Sequence, residues 1–299
     1  MRKPFLPGSL RIAPLVVAAA LVGCCITTAL ADDAKKPPSK RLEITWAKNY
    51  LTIRGDHLVG GEISINYLEA YCRPGSTDRD WGKTVIGHQT ELLCATKDRR
   101  VIKLRDVLKD GVVVNHTITA GPDEVDFRLV AHNPTKKVSL ADWAQPCIRV
   151  HKFTGCDPKD AHKLYPPYIR QSFIFLDNKL TRLPTRPWAT KARYTPGQVY
   201  CPKDVDRDDV NPRPLSKLVP SNGLMGCFSA DGKQVMAIAW HPYQELFQGV
   251  ITCIHSDFRI GGLEPGQTKK MRGKLYLMNA DSAKLVKRYV REFPEHVKK

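Results

Sequence analysis

The chain has 299 residues, with 47 Lys or Arg against 30 Asp or Glu and a formal net charge of +17. Such a basic balance favours acidic partners such as nucleic acid, an anionic glycan or a membrane surface. The basic residues are scattered singly or in pairs, without a basic helix or an RNP-like aromatic motif. We therefore predict no nucleic-acid partner. The predicted partner is a carbohydrate, including an acidic glycan.

The N-terminus has the pattern of an export signal. Basic residues precede an apolar run, residues 12–30, which closes with Ala29-Leu30-Ala31. We therefore predict a signal peptide over residues 1–31 and an exported protein, periplasmic or extracellular. The lipobox-like Leu21-Val22-Gly23-Cys24 offers an alternative, in which a lipid on Cys24 would hold the protein at a membrane.

Behind the predicted cleavage site, residues 32–40 are polar and contain two prolines, which is typical of a flexible tether. Residues 41–299 are predicted to form a single β-sandwich domain. Short β-branched or aromatic segments separated by Gly and Asn turns predict strands throughout this domain. These segments are residues 42–46, 50–53, 62–68, 89–94, 101–104, 112–119, 124–131, 171–177, 179–183, 224–229, 234–240 and 269–279.

Only residues 281–293 carry a helical period, with Asp281 as a candidate N-cap. The fold class predicted is therefore all-β: an antiparallel β-sandwich, or supersandwich, with long irregular loops and one short C-terminal helix. The longest loop, residues 184–220, is rich in proline but keeps Trp188, Tyr194 and Tyr200. Because disordered segments tend to lack aromatic residues, we expect an ordered excursion that forms a wall or lid over the sheet.

Seven cysteines remain after the predicted cleavage site. An odd number in an oxidising compartment leaves at least one thiol unpaired or in an intermolecular bond, and the spacing does not define the pairing. Cys94, Cys227 and Cys253 follow apolar or small residues and are predicted to be buried. Cys253-Ile-His255 and Cys147-x3-His151 are isolated donor pairs, and a zinc site would need both pairs to converge. We predict no metal and no cofactor.

The stretch from Trp240 to Gly262, WHPYQELFQGVITCIHSDFRIGG, has the densest set of polar and aromatic side chains. Glu245 is placed in a loop and His255 and Asp257 at a strand end, where a histidine and a carboxylate could move protons on a sugar. We predict these three as catalytic. The same stretch offers Trp240, His241, Tyr243 and Arg259 as substrate-binding residues. In the alternative interpretation, Asp257 pairs with Arg259 and Glu245 caps a turn.

A second cluster lies in residues 138–151. An extended chain would place Trp143, Gln145, Arg149 and His151 on one face, as a candidate glycan-binding strip. Pro146 interrupts the strip and confines it to a sheet edge or a bulge. We expect this cluster to meet the stretch from Trp240 to Gly262 in one site.

Two further residues are predicted to bind substrate. If the strand over residues 62–68 continues, Glu69 shares a face with Tyr71 and could line a concave ligand surface. Trp81 closes the polar loop 73–82, where its ring either packs back onto the domain or offers a stacking face.

The closing run Gly262-Leu263-Glu264-Pro265-Gly266-Gln267, which leads into a long strand and a short helix, resembles the galactose mutarotase-like superfamily. The resemblance covers residues 41–293 and implies a β-supersandwich that acts on or binds carbohydrates. Mutarotases of this superfamily use a His and a Glu, but the fold also hosts lyases, epimerases and noncatalytic modules. No position here matches closely enough to receive those roles.

The motifs of nucleotide binding, α/β-hydrolases and zincins do not occur in the sequence. We therefore expect an exported carbohydrate-active or carbohydrate-binding protein, with proton-transfer chemistry of the epimerase, mutarotase or lyase type. The alternative is a noncatalytic glycan-binding or envelope structural protein.

Overall fold

Sixteen strands and three helices are present in the described part of the chain, residues 41–75, 81–157, 167–185, 195 and 197–296 of a computed structural model. The predicted signal peptide with Cys24, the tether, residues 76–80, Trp188 and Tyr194 lie outside these residues. The helices are α1 (Trp81–Thr84), α2 (Tyr168–Gln171) and α3 (Ser282–Glu292). The strands are β1 (Glu43–Ala47), β2 (Tyr50–Arg54), β3 (Glu62–Cys72), β4 (Val85–Ile86), β5 (His88–Ala95), β6 (Val101–Leu108), β7 (Val113–Ala120), β8 (Glu124–His132), β9 (Trp143–Arg149), β10 (Ser172–Leu176), β11 (Lys179–Arg182), β12 (Met225–Phe228), β13 (Gln234–His241), β14 (Tyr243–Gly249), β15 (Cys253–Arg259) and β16 (Thr268–Asn279).

The strands form two antiparallel sheets, which confirms the predicted all-β sandwich. The seven-stranded sheet has the order β1-β2-β3-β9-β15-β14, with β4 beside β3. The nine-stranded sheet has the order β11-β10-β12-β13-β16-β8-β7-β6-β5. The described residues belong to one compact unit, Pro38–Lys299. None of the helices they form is long and apolar enough to cross a membrane.

The largest apolar core combines side chains from strands of both sheets. Strand β6 shows how the sequence produces it: Ile102, Leu104 and Leu108 alternate with exposed residues and are at most 2% exposed. Since successive side chains of a strand point to opposite faces, this period of two places one face of each sheet in the core.

Trp240 belongs to this core, so its predicted role in binding substrate is wrong. Its side chain is fully buried and its ring centroid lies 5.2 Å from that of Phe127 and 4.7 Å from that of Phe258. On the neighbouring strand its partner in register is Gly273. The indole occupies the space that a side chain at Gly273 would need.

The predicted C-terminal helix is present as α3. The Asp281 carboxylate accepts a hydrogen bond from the Lys284 amide, which caps the helix as expected. Leu285, Tyr289 and Phe293 pack with Tyr276 of β16 in a second apolar cluster. The helix therefore covers part of the nine-stranded sheet on the side away from the main core.

Replacing Gly273 with alanine should destabilise the fold, because the new Cβ would lie 2.4 Å from Cε3 of Trp240. Overpacking of this kind costs about 1–3 kcal/mol of the free energy of unfolding. Urea denaturation followed by tryptophan fluorescence measures it. Gly87→Ala is the matched control, because its Cβ meets only the flexible end of Lys109. Equal stability of the two variants would contradict the packing described here.

Candidate functional site

A cavity of about 200 Å³ lies against the seven-stranded sheet, on the face opposite the main core. This volume is far above the roughly 10–15 Å³ that a single water requires. The residues lining it come from the four neighbouring strands β3, β9, β15 and β14, from α1 and from two loops. They are Glu69, Trp81, Gln145, Cys147, Asn211, Pro212, Phe247, Gly249, Val250, Ile251, Cys253 and His255.

Alternation along β9 and β15 explains which side chains reach the cavity. Ile148 and Ile254 belong to the main core, so their neighbours Cys147, Cys253 and His255 point the other way. The two strands pair directly, with Ile254 opposite Ile148. The two clusters expected from the sequence to meet therefore lie side by side.

Pro146 lies in the middle of β9, between β3 and β15 rather than at a sheet edge. The sequence predicts either a sheet edge or a bulge at this proline. The structure has a bulge, since the register of the pairing between β3 and β9 shifts between Asn66 and Ala70 of β3. Within this bulge Glu69 turns to the cavity while Tyr71 stays in the main core. The expectation that Glu69 and Tyr71 share a face is therefore wrong.

The described part of the proline-rich excursion forms one wall of the cavity. Tyr200 exchanges backbone hydrogen bonds with Leu246 of β14, so the excursion adds a bridge to the sheet. Val199 and Val210 pack over Phe247, and Asn211 and Pro212 reach the cavity. Proline is tolerated in this segment because the segment has little regular backbone pairing, and so few N–H donors are needed.

His255 is the most highly connected side chain of the site. Its Nε2 lies 3.4 Å from Cys253 Sγ, and its Nδ1 lies 3.4 Å from an Asp257 carboxylate oxygen. The ring stacks on Phe247 with a centroid separation of 4.3 Å and an interplanar angle of 7°. Burial alone would lower the pKa of His255, but the charges on Cys253 and Asp257 outweigh it and raise this pKa to about 10.

Gln145 completes the surroundings of this imidazole, with its carboxamide nitrogen 3.2 Å from His255 Nδ1. An imidazolium donates from both nitrogens, and the carboxamide oxygen of Gln145 has no hydrogen-bond partner among the described residues. Rotating the carboxamide by 180° would turn this oxygen toward Nδ1 and satisfy both groups, an exchange of O and N that leaves the shape of the side chain unchanged.

Glu245 and Asp257 form a buried carboxyl pair behind His255. They are opposite each other in the β14–β15 ladder and both are fully buried. Burial, followed by the charge of Asp257, raises the pKa of Glu245 well above its ordinary range. Burial also raises the pKa of Asp257, to about 6, although His255 opposes the shift. Neither residue lines the cavity, and Glu245 lies within a strand rather than in the predicted loop.

Three other predicted binding residues lie at the cavity or directly behind it. Trp81 lines the cavity and packs against Trp143, which is fully buried and does not reach the space itself. Arg149 places a guanidinium nitrogen 3.9 Å from the Glu69 carboxylate. Trp143 and Arg149 therefore support cavity-lining side chains instead of contacting the cavity.

The remaining predicted residues lie elsewhere. His241 and Tyr243 pack against His296 at the C-terminal end, and His151 does not line the cavity. Arg259 donates to Gln244 and lies 3.4 Å from Asp142 and 3.5 Å from Asp209 in the excursion. Arg259 thus fastens the cavity wall to the sheet, and the Asp257–Arg259 pair of the alternative interpretation is not among its ion pairs.

Two groups of described residues have donor atoms close enough for a metal ion. In the cavity, donor atoms of Cys147, Cys253 and His255 all lie within 4.8 Å of one another. The two cysteine-containing donor pairs of the sequence do converge, but through Cys147 rather than His151. The second group is His241, Glu295 and His296, which is only partly buried.

Cysteine burial differs from the prediction at one position. Cys227 and Cys253 are buried as expected, but Cys94 is exposed. Strand β5 is the last strand of its sheet, so one of its sides and much of its surface face solvent. All seven cysteines of the described residues are free thiols.

Comparison with solved structures finds several matches at low sequence identity. An Escherichia coli K12 protein assigned provisionally as an aldose 1-epimerase matches with 9% identity and a TM-score of 0.40, over 80% of this chain and 99% of that one. A galactose mutarotase-like protein from Lactobacillus casei matches with 8% identity and a TM-score of 0.39, over 79% and 99% of the two chains. A Salmonella typhimurium protein assigned provisionally as a mutarotase matches with 9% identity and a TM-score of 0.37, over 81% of this chain and 95% of that one.

No family model matches the sequence, and no curated protein matches it. The function proposed below rests on the side chains of the cavity.

The raised pKa of Asp257 predicts a specific pH dependence of stability. An unfolded Asp has a pKa of about 3.9, so between about pH 4 and pH 6 the native state holds a proton that the unfolded state has lost. Wild type should therefore lose stability relative to Asp257→Asn as pH rises through this window, by an amount on the order of 3 kcal/mol. Urea unfolding at several pH values measures the difference.

Asp56→Asn is the control for this series, since Asp56 is exposed, follows β2 and does not line the cavity. It should follow wild type at every pH. A constant difference between wild type and Asp257→Asn across the window would show that burial does not hold a proton on Asp257.

Proposed function

We propose that the protein is an exported carbohydrate-active protein whose cavity binds a sugar and moves a proton on it. The observation that supports this most directly is the presence of His255 and Glu69 on the walls of one cavity. An imidazolium and a carboxylate facing the same space are a general acid and a general base.

The other walls suit a sugar. Gln145 and Asn211 offer carboxamides that can both donate to and accept from hydroxyl groups. Trp81 and Phe247 give apolar surface for the C–H face of a sugar ring. A small number of polar groups on a mainly apolar wall is the usual composition of a small-molecule site.

Proton transfer at an anomeric centre needs two groups acting together. Glu69 would take the proton of the anomeric hydroxyl while His255 gives one to the ring oxygen, which opens the ring; closing it on the other face gives the second anomer. Asp257 and Gln145 would hold His255 through Nδ1, leaving Nε2 beside Cys253 at the cavity wall. Asp257 is thus a positioning residue in this proposal, and Glu245 holds the proton of the buried pair.

The charge of the site extends the proposal to acidic sugars. Arg149 lies next to Glu69, and the whole chain carries a net charge of +17. A substrate carboxylate would be attracted by this field. The substrate class we favour is therefore a neutral or acidic monosaccharide unit.

One observation favours noncatalytic glycan binding as a second candidate. Glu245 and Asp257, the carboxylates with raised pKa, do not line the cavity. In this case the same walls would bind a sugar without exchanging its protons. Binding and exchange have to be measured separately.

Exchange NMR on a panel of aldoses and uronic acids separates the two candidates. Wild type should speed anomer exchange, and His255→Asn or Glu69→Gln should each slow it by roughly 10²–10⁴-fold while sugar still binds. His132→Asn and Glu62→Gln are matched controls, because both are on strands and outside the cavity. Binding without exchange would favour the noncatalytic candidate, and absence of any binding would refute the proposal.

A further inference from the structure

Cys253, His255 and Asp257 form a line along one face of β15. They occupy alternate positions of the strand, so their side chains project on the same side. Cys253 Sγ lies 3.4 Å from His255 Nε2, and His255 Nδ1 lies 3.4 Å from Asp257 Oδ1. A nucleophile within reach of a base that a third group orients is the arrangement of activated nucleophiles in enzymes.

We propose that Cys253 is a reactive thiolate that adds to a small carbonyl compound entering the cavity, with His255 as its proton partner and Asp257 as a positioning residue. This goes beyond acid–base chemistry on a sugar, because it assigns covalent chemistry to a different atom of the same cavity. It does not require the cavity to bind carbohydrate.

The surroundings of the sulfur stabilise a single negative charge. The neighbouring Cys147 thiol, together with the charges of His255 and Arg149, lowers the pKa of Cys253 well below that of an ordinary thiol in spite of burial. Burial raises the pKa of Cys147 well above its ordinary value, so Cys147 stays a neutral thiol that can donate. One thiolate, one thiol and one imidazolium then share the cavity wall.

The same geometry disfavours a disulfide between the two cysteines. In a disulfide the two residues would need close Cα atoms, but the partner of Cys253 in register is Arg149, and Cys147 lies on the diagonal. Diagonal neighbours in a sheet are about 7–8 Å apart, which is at or beyond the limit for an unstrained bridge.

The reaction step balances without an added oxidant or reductant. The thiolate sulfur attacks the carbonyl carbon of an aldehyde and a C–S bond forms. The π electrons of the C=O bond move to oxygen, which takes the proton from His255 Nε2. The product is a thiohemiacetal beside a neutral imidazole, and reversing the step restores both. Asp257 keeps the imidazole oriented throughout.

The size of the cavity defines the class of compound. A space of about 200 Å³ with largely apolar walls admits a small molecule. The carbonyl compound is therefore a short aldehyde, or the open-chain end of a larger one with its remainder outside.

Alkylation by iodoacetamide tests the thiolate, since this small probe forms a C–S bond as iodide leaves. The experiment is run at mildly acidic pH, where ordinary thiols with a pKa of about 8.5 are almost wholly protonated. Mass spectrometry of peptides then gives the rate at each cysteine of the intact protein. Exposed Cys94 is the internal control.

The expected result is that Cys253, although only 2% exposed, reacts about ten-fold or more faster than Cys94. His255→Asn should remove this advantage and Asp257→Asn should reduce it, while the rate at Cys94 stays unchanged. Cys201→Ser is the matched control for loss of a buried thiol elsewhere and should leave the rate at Cys253 as in wild type. Unfolding of a variant would show as faster reaction at all buried cysteines. In that case the rates of Cys253 and Cys94 in the wild-type protein still test whether Cys253 is a reactive thiolate.

Protection by an aldehyde tests the class of compound. Preincubation with glycolaldehyde should slow alkylation of Cys253 several-fold, whereas ethylene glycol, which lacks the carbonyl group, should not. Equal protection by both would overturn the carbonyl assignment. Slower reaction at Cys253 than at Cys94 in wild type, or reaction only after treatment with a chelator, would overturn the thiolate. These readouts do not involve sugars, so they fail independently of the proposed function.

Discussion

Burial of charge on one face of β9 and β15 is the constraint on which the rest of the site depends. These strands lie at the centre of the seven-stranded sheet, with apolar residues facing the main core and His255, Asp257 and Arg149 on the other face. A buried charge is costly unless it is paired and hydrogen-bonded. The pairing of His255 with Asp257 is one way of meeting that cost, and the raised pKa of Glu245, which favours its neutral form, is another.

The same constraint explains the cover over the sheet. A low dielectric is needed for these interactions to be strong, so water has to be largely excluded from the face that carries them. The excursion and Trp81 provide that cover, and Arg259 ties it down through Asp209. What remains open is the small cavity, and the groups facing it are the ones that can meet a ligand.

Most of the fold could be predicted because its strands alternate between a buried and a solvated face. The period of two in β6, β7 and β8 is plain in the sequence. Strands β14 and β15 are buried on both faces, with polar side chains on each, so neither alternation nor hydrophobicity marks them. This is why the sequence alone predicts a loop at Glu245 and a strand end at His255.

The site could be predicted in part, from residue types that suit a sugar. The sequence predicts Glu69, Trp81, Gln145 and His255 as site residues, and all four line the cavity. Trp240 is predicted on the same grounds but lies in the core, because the local sequence does not tell which face of a strand a residue occupies. The proximity of Cys147 to Cys253 is not predicted, since it depends on the pairing of β9 with β15, which is set by the whole sheet.

The bridge between Tyr200 and Leu246 has a consequence for self-association. Strand β14 is the outer strand of its sheet, and the bridge pairs the backbone groups of Leu246, which could otherwise pair with a strand of another molecule. The excursion therefore covers part of this strand edge as well as the cavity. Any change that detaches the excursion from the sheet would expose the backbone groups at the edge of β14 and, at the same time, the polar face of the sheet beneath the excursion.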